Sequence, residues 1–547
     1  PRPDNLASVQ ALDLLGAGTA CLVWSSPLGH NARQPVRYLD LMGGQKPHLL
    51  VRVVNNLGAE TRVQYAPSTK FYLQDERDGR PWLTKLPFPV HVVERVETFD
   101  RISRTWFVSR YAYHHGYFDG VEREFRGFGM VEQWDTAEFN SLKTDSEARL
   151  GDSTNINAAS HVPPVWTKTW FHTGAYVDGE HISNFFAGIG PGEGEYYREP
   201  ALRDEAHDAA AQALLLDDTV LPPGLSPAEE REACRALKGS VLRQEIYALD
   251  DSPQAEHPYR VTERNYSIES LQPQGSNPHA VFFVHARETI DYYYERNPAD
   301  PRVSHALVLA VDDFGNVLQA AAIGYGRWAA STDPALTPAD HDRQRLSLLT
   351  CTETQVTAVI DTADAYRVPV PCDSRTFELP ARLLAPRVRL TLPQLAAEIG
   401  AATAIPYEKT VQSGQKRLIE HGRTLFYRDD LAGPLPLGQQ GQLGLLFESY
   451  KLAFTPNLLA GVYTRAAENL LPDPAILGAE GGYVPGDACR AAGWFPAGDS
   501  PGLWWLPSGQ SFFAPPAAEP ARPAPLPQNL ATARAHFFTP HGQRDAF

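Results

Sequence analysis

Two adjacent histidines, His114 and His115, come closest to suggesting metal chemistry, because imidazole is a common zinc ligand. Neighbouring strand residues point to opposite faces, so the pair reads as structural rather than as two ligands of one ion. Asp119, Glu122 and Glu124 offer the raw material of a glycosidase acid and base. They lie among Arg110, Arg123 and Arg126, and ion pairing is the simpler use of such carboxylates. Gly190-Pro191-Gly192-Glu193-Gly194-Glu195 is glycine-rich but acidic, lacks a following lysine and opens no helix, so it would repel a phosphate. Trp494, Trp504 and Trp505, in GWFPAGDSPGLWWLPSG, present rings that could stack on sugar or pack on a sheet, and packing is the expectation. The sequence has no His-Glu-x-x-His. No catalytic, cofactor-binding or metal site is therefore expected.

The 547 residues carry a net charge of −16, which disfavours nucleic acid as a partner. No apolar run approaches the ~18 residues of a membrane span, so no direct membrane insertion is expected. Cys21, Cys234, Cys351, Cys372 and Cys489 are scattered, odd in number and form no Cys-x-x-Cys, against a disulfide framework or zinc site. The 46 prolines suit a loop-rich β-protein. The chain starts at Pro1, not Met, and reads as a fragment or processed product.

The elements that would carry these residues are strands. Phe107 to Trp134 reads as a hairpin. Tyr111 and Tyr113 share one face of its first strand, and Arg110, Ala112 and His114 the other. A turn is expected over His115–Gly120, with Gly116 and Gly120 where positive φ is cheap. The return strand would put Val121, Arg123 and Phe125 on one face and Glu122, Glu124 and Arg126 on the other. Gly127 and Gly129, flanking Phe128, would bend the chain onward. A weaker copy runs from Asp312-Asp313-Phe314-Gly315-Asn316 to Tyr325-Gly326-Arg327. Further hairpins are expected at Asn55–Gly58 and Asp313–Asn316.

The pattern Tyr-x-Tyr-x-x-Gly-x-x-Asp-Gly-x-x-Arg-x-Phe-x-Gly-Phe over Tyr111–Phe128 resembles the tyrosine–aspartate (RHS/YD) repeat. The flanking text is similar to one branch, the B component of bacterial insecticidal toxin complexes (Tc toxins). YLDLMGGQKPHLLVRVVNNLGAETRVQYAPSTKFYL from Tyr38, LTKLPFPVHVVERVETFDRIS from Leu83 and REACRALKGSVLRQEIYALD from Arg231 carry the likeness. So do KRLIEHGRTLFYRDDL from Lys416, ESYKLAFTPNLL from Glu448 and ARAHFFTPHGQRDAF from Ala533. The resemblance implies a mostly β chain, a ribbon spiralling into part of a hollow shell shared with a C component that supplies the toxic cargo. It also implies docking on the A-component pentameric channel through an upstream β-propeller, secretion, and no cofactor. The self-cleaving protease of that family belongs to the C component, and nothing here matches it.

Residues 1–30 read as the tail of such a propeller-like module. Asp13 to Gly18 is similar to the turn of calcium-binding blades, but one carboxylate is too few for calcium, so a metal-free turn is expected. Residues 31–145 form the repeat region, and 146–547 its continuation. Helical insertions are expected at 204–240 and 391–403, with Ser226 and Pro227 opening one and Gly239 closing it. Residues 514–527 form a Pro/Ala loop, after which His536-Phe537-Phe538-Thr539 reads as a strand and Gly542 and Asp545 as the next turn. Two other functions fit parts of the sequence. One is a secreted adhesion or carbohydrate-binding repeat protein using the Trp504 loop. The other is a β-rich polysaccharide-cleaving enzyme.

Overall fold

The computed structural model describes residues 8–29, 32–135, 163–188, 194–329, 333–466, 468–515 and 526–544. Strand accounts for 39% and helix for 16%, so the chain is mostly β. It divides into two compact units, Pro1–Val303 and Ser304–Phe547. The expected boundary at residues 145–146 lies outside the described residues.

The first unit opens with a three-stranded antiparallel sheet of β1 (Ser8–Leu12), β2 (Cys21–Ser25) and β3 (Val36–Asp40). A ribbon follows, made of β4 (Arg52–Val54), β5 (Ala59–Pro67), β6 (His91–Asp100), β7 (Thr105–Asp119), β8 (Glu124–Asp135) and β9 (Val165–Phe171). It continues through β10 (Val241–Ala248), β11 (Arg260–Gln272) and β12 (Val281–Tyr293). From β4 to β12 each strand pairs antiparallel with its sequence neighbour. That order needs only hairpin connections, apart from the longer insertions before β6, β9 and β10. At the first hairpin Asn55 Oδ1 accepts the amides of Leu57 and Ala59, and Gly58 takes φ 109°, as its turn chemistry predicts.

Helices close over the ribbon. Ser68–Arg77 places Phe71 in a core with Ala66, Trp82 and Val92. Pro227–Ala236 has a capping box: Ser226 Oγ accepts from the Glu229 amide, while Glu229 Oε2 accepts from the Ser226 amide at 2.9 Å. Its Ala233 and Cys234 are fully buried against Ile182 and Ile268. The insertion expected over Asp204–Asp217 forms a 3-10 turn at Glu205–His207 and a helix at Asp208–Leu214.

β13 (Arg302–Val311), which lies in the second unit from Ser304 onward, β14 (Val317–Gly324) and β15 (Leu346–Val356) are successive antiparallel neighbours. The order continues through strands Pro371–Glu378, Gln415–Phe426, Leu446–Phe454 and Trp504–Pro507. Helix Leu392–Ala401 buries Leu395 and Ile399 against Leu307, Ile323 and Leu349. A second cluster gathers Leu425, Tyr450, Phe495 and Trp505.

Two expectations need correction. The turn of the repeat hairpin does not fall at Gly116–Gly120. Strand β7 runs on to Asp119 and β8 begins at Glu124, so residues 120–123 make the turn and Val121 and Arg123 are not in the return strand. Positive φ occurs at His115 (56°), Arg123 (53°) and Gly127 (95°). Asp119 closes the turn by accepting two amides, which removes the need for a left-handed glycine. His536–Thr539 is not a strand either. Alanine-rich helix Leu526–Ala535 precedes it, and Phe537 (φ 53°) and Phe538 (φ 55°) end that helix in left-handed geometry. Gly542 lies in a short strand paired with Gln510–Phe512, while Asp545 and residues 516–525 lie outside the described residues.

Candidate functional site

The repeat hairpin β7–β8 holds most of the expected site residues, and each has a structural partner. Tyr113 donates its hydroxyl to Val93 O at 2.9 Å and packs against Phe71 and Phe128, with burial pushing its phenol up to about 12. Tyr111 pairs with Gln133 across the hairpin and is half-buried. Phe128 also meets Phe125 and Trp82 edge-on, at 5.6 and 6.2 Å between centroids. Gly116 and Gly129 give clearance to rings. A Cβ on Gly116 would lie 2.8 Å from the Trp82 ring, and one on Gly129 2.6 Å from Phe186. Gly127 faces open space and is set by its φ alone. Gly120 is exposed in the turn.

Asp119 is buried, and its Oδ1 accepts the amides of Val121 (2.9 Å) and Glu122 (3.0 Å). Its Oδ2 pairs with Arg126 at 3.0 Å and Arg231 at 3.4 Å. Burial alone would raise this carboxyl, but the two amides and two guanidiniums outweigh it and hold it below the usual range. Glu124 meets Arg126, Arg235 and Lys238, and Glu122 meets Arg235. These carboxylates serve as ion-pair partners, linking the hairpin to helix Pro227–Ala236.

Both histidines are buried. His115 takes a left-handed φ of 56°. His114 Nδ1 lies 2.5 Å from Asp75 Oδ2 and its Nε2 3.3 Å from Glu132 Oε2. Burial works against its charge, but the two carboxylates prevail and raise its pKa to about 9. His115 Nδ1 accepts the Leu83 amide at 3.0 Å, so Nε2 carries the proton donated to Glu195 Oε1 at 2.6 Å. Trp170 Nε1 donates to the other Glu195 oxygen at 2.8 Å. Of the acidic glycine-rich segment only Gly194 and Glu195 are described, and Glu195 is this clamp.

The weaker copy in the second unit repeats the Asp device. Asp312 Oδ1 accepts the amides of Phe314 (3.0 Å) and Asn316 (2.8 Å), and Gly315 takes φ 87°. Tyr325 stacks on His305 and accepts the Leu390 amide at 3.0 Å. A Cβ on Gly326 would lie 2.0 Å from Arg345 O, so two backbones touch there, and the Arg327 amide bonds Gln344 O. Asp13 spends both oxygens on the amides of Ala17 and Gly18. Trp505 is fully buried against Phe495 and His421, Trp494 packs on Phe447, and Trp504 is half-buried in its strand.

Sequence reading missed two buried ionic networks. Arg243 pairs with Glu245 (2.7 Å) and Glu263 (2.6 Å) in the first unit. In the second, Asp373 takes His421, Arg375 and Arg423, and Arg423 also reaches Asp499 and lies over Phe495 and Trp505. The available signal was spacing: Arg243/Glu245, Arg95/Glu97 and Asp373/Arg375 sit two apart on one strand, hence on one face. Among the described residues no group of three or more His, Cys, Asp or Glu is placed to hold a metal, and no helix is long and apolar enough to cross a membrane.

A mostly antiparallel ribbon of sequential hairpins, with the carboxylates of its repeat hairpin paired to cations, defines the class by fold as a long β-ribbon protein. The model of the insecticide toxin TcdB middle/N-terminal region matches residues 3–174, and that of the middle/C-terminal region matches residues 232–368. Together they span more than half of the chain. The chain belongs to the TcdB family, the B components of Tc insecticidal toxin complexes. Among solved structures, TcdB2-TccC3 without its hypervariable C-terminal region matches at 23% identity and TM-score 0.72, over 100% of this chain and 23% of that one. TcdB2-TccC3-Cdc42 matches at 22% identity and TM-score 0.70, over 100% and 23%. A Photorhabdus luminescens Tc holotoxin pore matches at 24% and 0.70, over 93% and 22%. The chain thus spans about a quarter of the length of the solved chains it resembles. No curated protein matches.

Proposed function

We propose that this chain is a non-catalytic part of a secreted bacterial toxin complex. It forms wall for a hollow shell that, with a C component, encloses toxic cargo and docks on an A-component pentameric channel for translocation. The observation that carries the reading is the unbroken order β4 to β12 in a chain whose family is TcdB. A ribbon of sequential hairpins satisfies its backbone strand by strand and can be lengthened turn by turn into a wall. The solved relatives are complexes with TccC3 and a Tc holotoxin, which supports a C component and an A channel as partners. Sheet β1–β3, to which residues 1–30 contribute β1 and β2, fits the edge of a propeller-like module: Val9 on β1 and Val36, Tyr38 and Leu39 on β3 are 54%, 56%, 52% and 55% exposed, an apolar surface suited to a neighbour.

The carboxylates of the repeat hairpin are committed to cations, which weighs against a polysaccharide-cleaving enzyme. The buried Trp505 weighs against a sugar platform. The test is size exclusion with light scattering on this chain alone and on the longer protein co-expressed with its C component. Self-association of the first and a single species for the second is expected. A monodisperse chain that ignores the C component would overturn the reading.

A further inference from the structure

Asn265 sits on β11 and is 2% exposed. Its Nδ2 donates to Asp217 O at 2.8 Å and to Glu288 Oε1 at 3.0 Å. Both partners are acceptors, so the amide cannot be turned over, and Oδ1 is left as a buried acceptor with no partner. Asn184 stands just before the 3-10 turn Phe185–Ala187 but its side chain caps nothing, and its Oδ1 is also buried and unpaired. The two residues line one cavity of about 20 Å³, together with Ser183, Asp218 and Glu263.

The cavity's charges are already compensated. Asp218 accepts the amides of Ile182, Ser183 and Thr219 and the Ser183 hydroxyl, and Glu263 is held by Arg243 and the Leu216 amide. No uncompensated carboxylate calls for a cation. What the two amide oxygens lack is a donor. An unpaired buried acceptor costs about 1–3 kcal/mol, and a polar cavity above roughly 10–15 Å³ has room for one water. We propose that this cavity is a built hydration site, in which one water donates a proton to Asn184 Oδ1 and the other to Asn265 Oδ1. The water then joins the connection after β9 to strand β11, two pieces of chain about eighty residues apart in sequence.

Asn184→Ala, Asn265→Ala and the double variant, read by melting temperature in the full-length protein, test the bridge. A shared water makes the two losses non-additive, with the double variant losing less than the sum, because either change breaks the same bridge. Additive losses would overturn the proposal. Because Asn265 also holds Asp217 and Glu288, its variant can fail to fold, so a structure of the unmodified protein resolving ordered water gives the second reading. One water peak between the two amide oxygens supports the site. An empty cavity, or a stoichiometric metal there by elemental analysis, refutes it.

Discussion

His114 Nδ1 lies 2.5 Å from Asp75 Oδ2, which makes one histidine of the repeat hairpin the anchor of helix Ser68–Arg77. Trp82 Nε1 donates to the same Asp75 oxygen at 2.7 Å, so ring, indole and carboxylate form one buried node. The next residue, His115, ties the hairpin to Glu195. The consecutive histidines therefore act as two clamps on two different segments.

The first prediction is a loss of stability at alkaline pH. The folded pKa of His114 is raised from an ordinary 6.5 to about 9, so its contribution is complete below pH 6.5 and disappears as pH rises through about 9. Asp75 is shifted the opposite way: burial raises it, and His114 and Trp82 outweigh that to lower it, so its contribution is lost only on acidification. A shift of this size corresponds to a few kcal/mol at most, about 1.4 kcal/mol per pH unit. Melting temperature should hold to about pH 6.5, fall between there and about pH 9, and level off above it. His114→Gln should start lower and lack most of that slope. Equal slopes in both proteins would show that His114 is neutral when folded.

The second prediction separates two kinds of glycine. Gly127 has φ 95° and open space around it, so Gly127→Ala should cost roughly 1–2 kcal/mol from backbone strain alone. Gly127→Val should cost more, and lower soluble yield or assembly with the C component. Gly129 has ordinary φ, but its Cβ would strike Phe186 at 2.6 Å. Gly129→Ala should therefore be partly rescued by Phe186→Leu, and Gly127→Ala should not be. Chemical denaturation of the two glycine variants, Phe186→Leu and the two double variants decides this, and rescue of both would assign both glycines to packing.

What the sequence made legible was local. Asn55–Gly58 and Asp312–Asn316 carry their own turn chemistry, and Ser226, Pro227 and Glu229 write out a helix start, so these elements lie where the residues put them. The repeat turn was misread because Gly116 looked like a φ device and is instead room for an indole. His536-Phe537-Phe538 looked like a strand because its apolar run is too short to distinguish strand from helix end. The networks were hidden for a different reason: Arg423 reaches Asp373 and Asp499 across 50 and 76 residues, distances that no local pattern encodes.

The third prediction contrasts the two Asp turns. Asp119→Asn keeps an oxygen for the Val121 and Glu122 amides but removes the charge facing Arg126, whose side chain is only 3% exposed. Leaving such a guanidinium short of its partner should cost about 3 kcal/mol, tempered by Glu124. At Asp312 the oxygens face amides and the Asn316 side chain, so Asp312→Asn should cost under about 1 kcal/mol. Urea midpoints followed by near-ultraviolet circular dichroism give both values. Equal losses would mean that the ion pair at Asp119 contributes nothing beyond the turn.

The last prediction concerns the tryptophan-rich stretch. Trp505 is fully buried, its ring 5.1 Å from Phe495 and 4.9 Å from His421, with the Arg423 guanidinium 4.8 Å above it. Gly486 gives it room, since a Cβ there would lie 2.9 Å from its Nε1. Such a ring supports the strand network of the second unit and offers no free face to a sugar. Trp505→Ala should cost about 3–5 kcal/mol, as expected for a large aromatic removed from a packed core. Trp505→Phe should recover part of that. Gly486→Ala should be destabilising on its own and less so beside Trp505→Phe, because the smaller ring vacates the space. A glycan-binding screen of the unmodified protein should be blank. Saturable binding to a defined sugar, abolished by Trp504→Ala or Trp505→Ala with no change in melting temperature, would show the stretch to be a recognition surface and would favour the adhesion reading over the toxin-shell one.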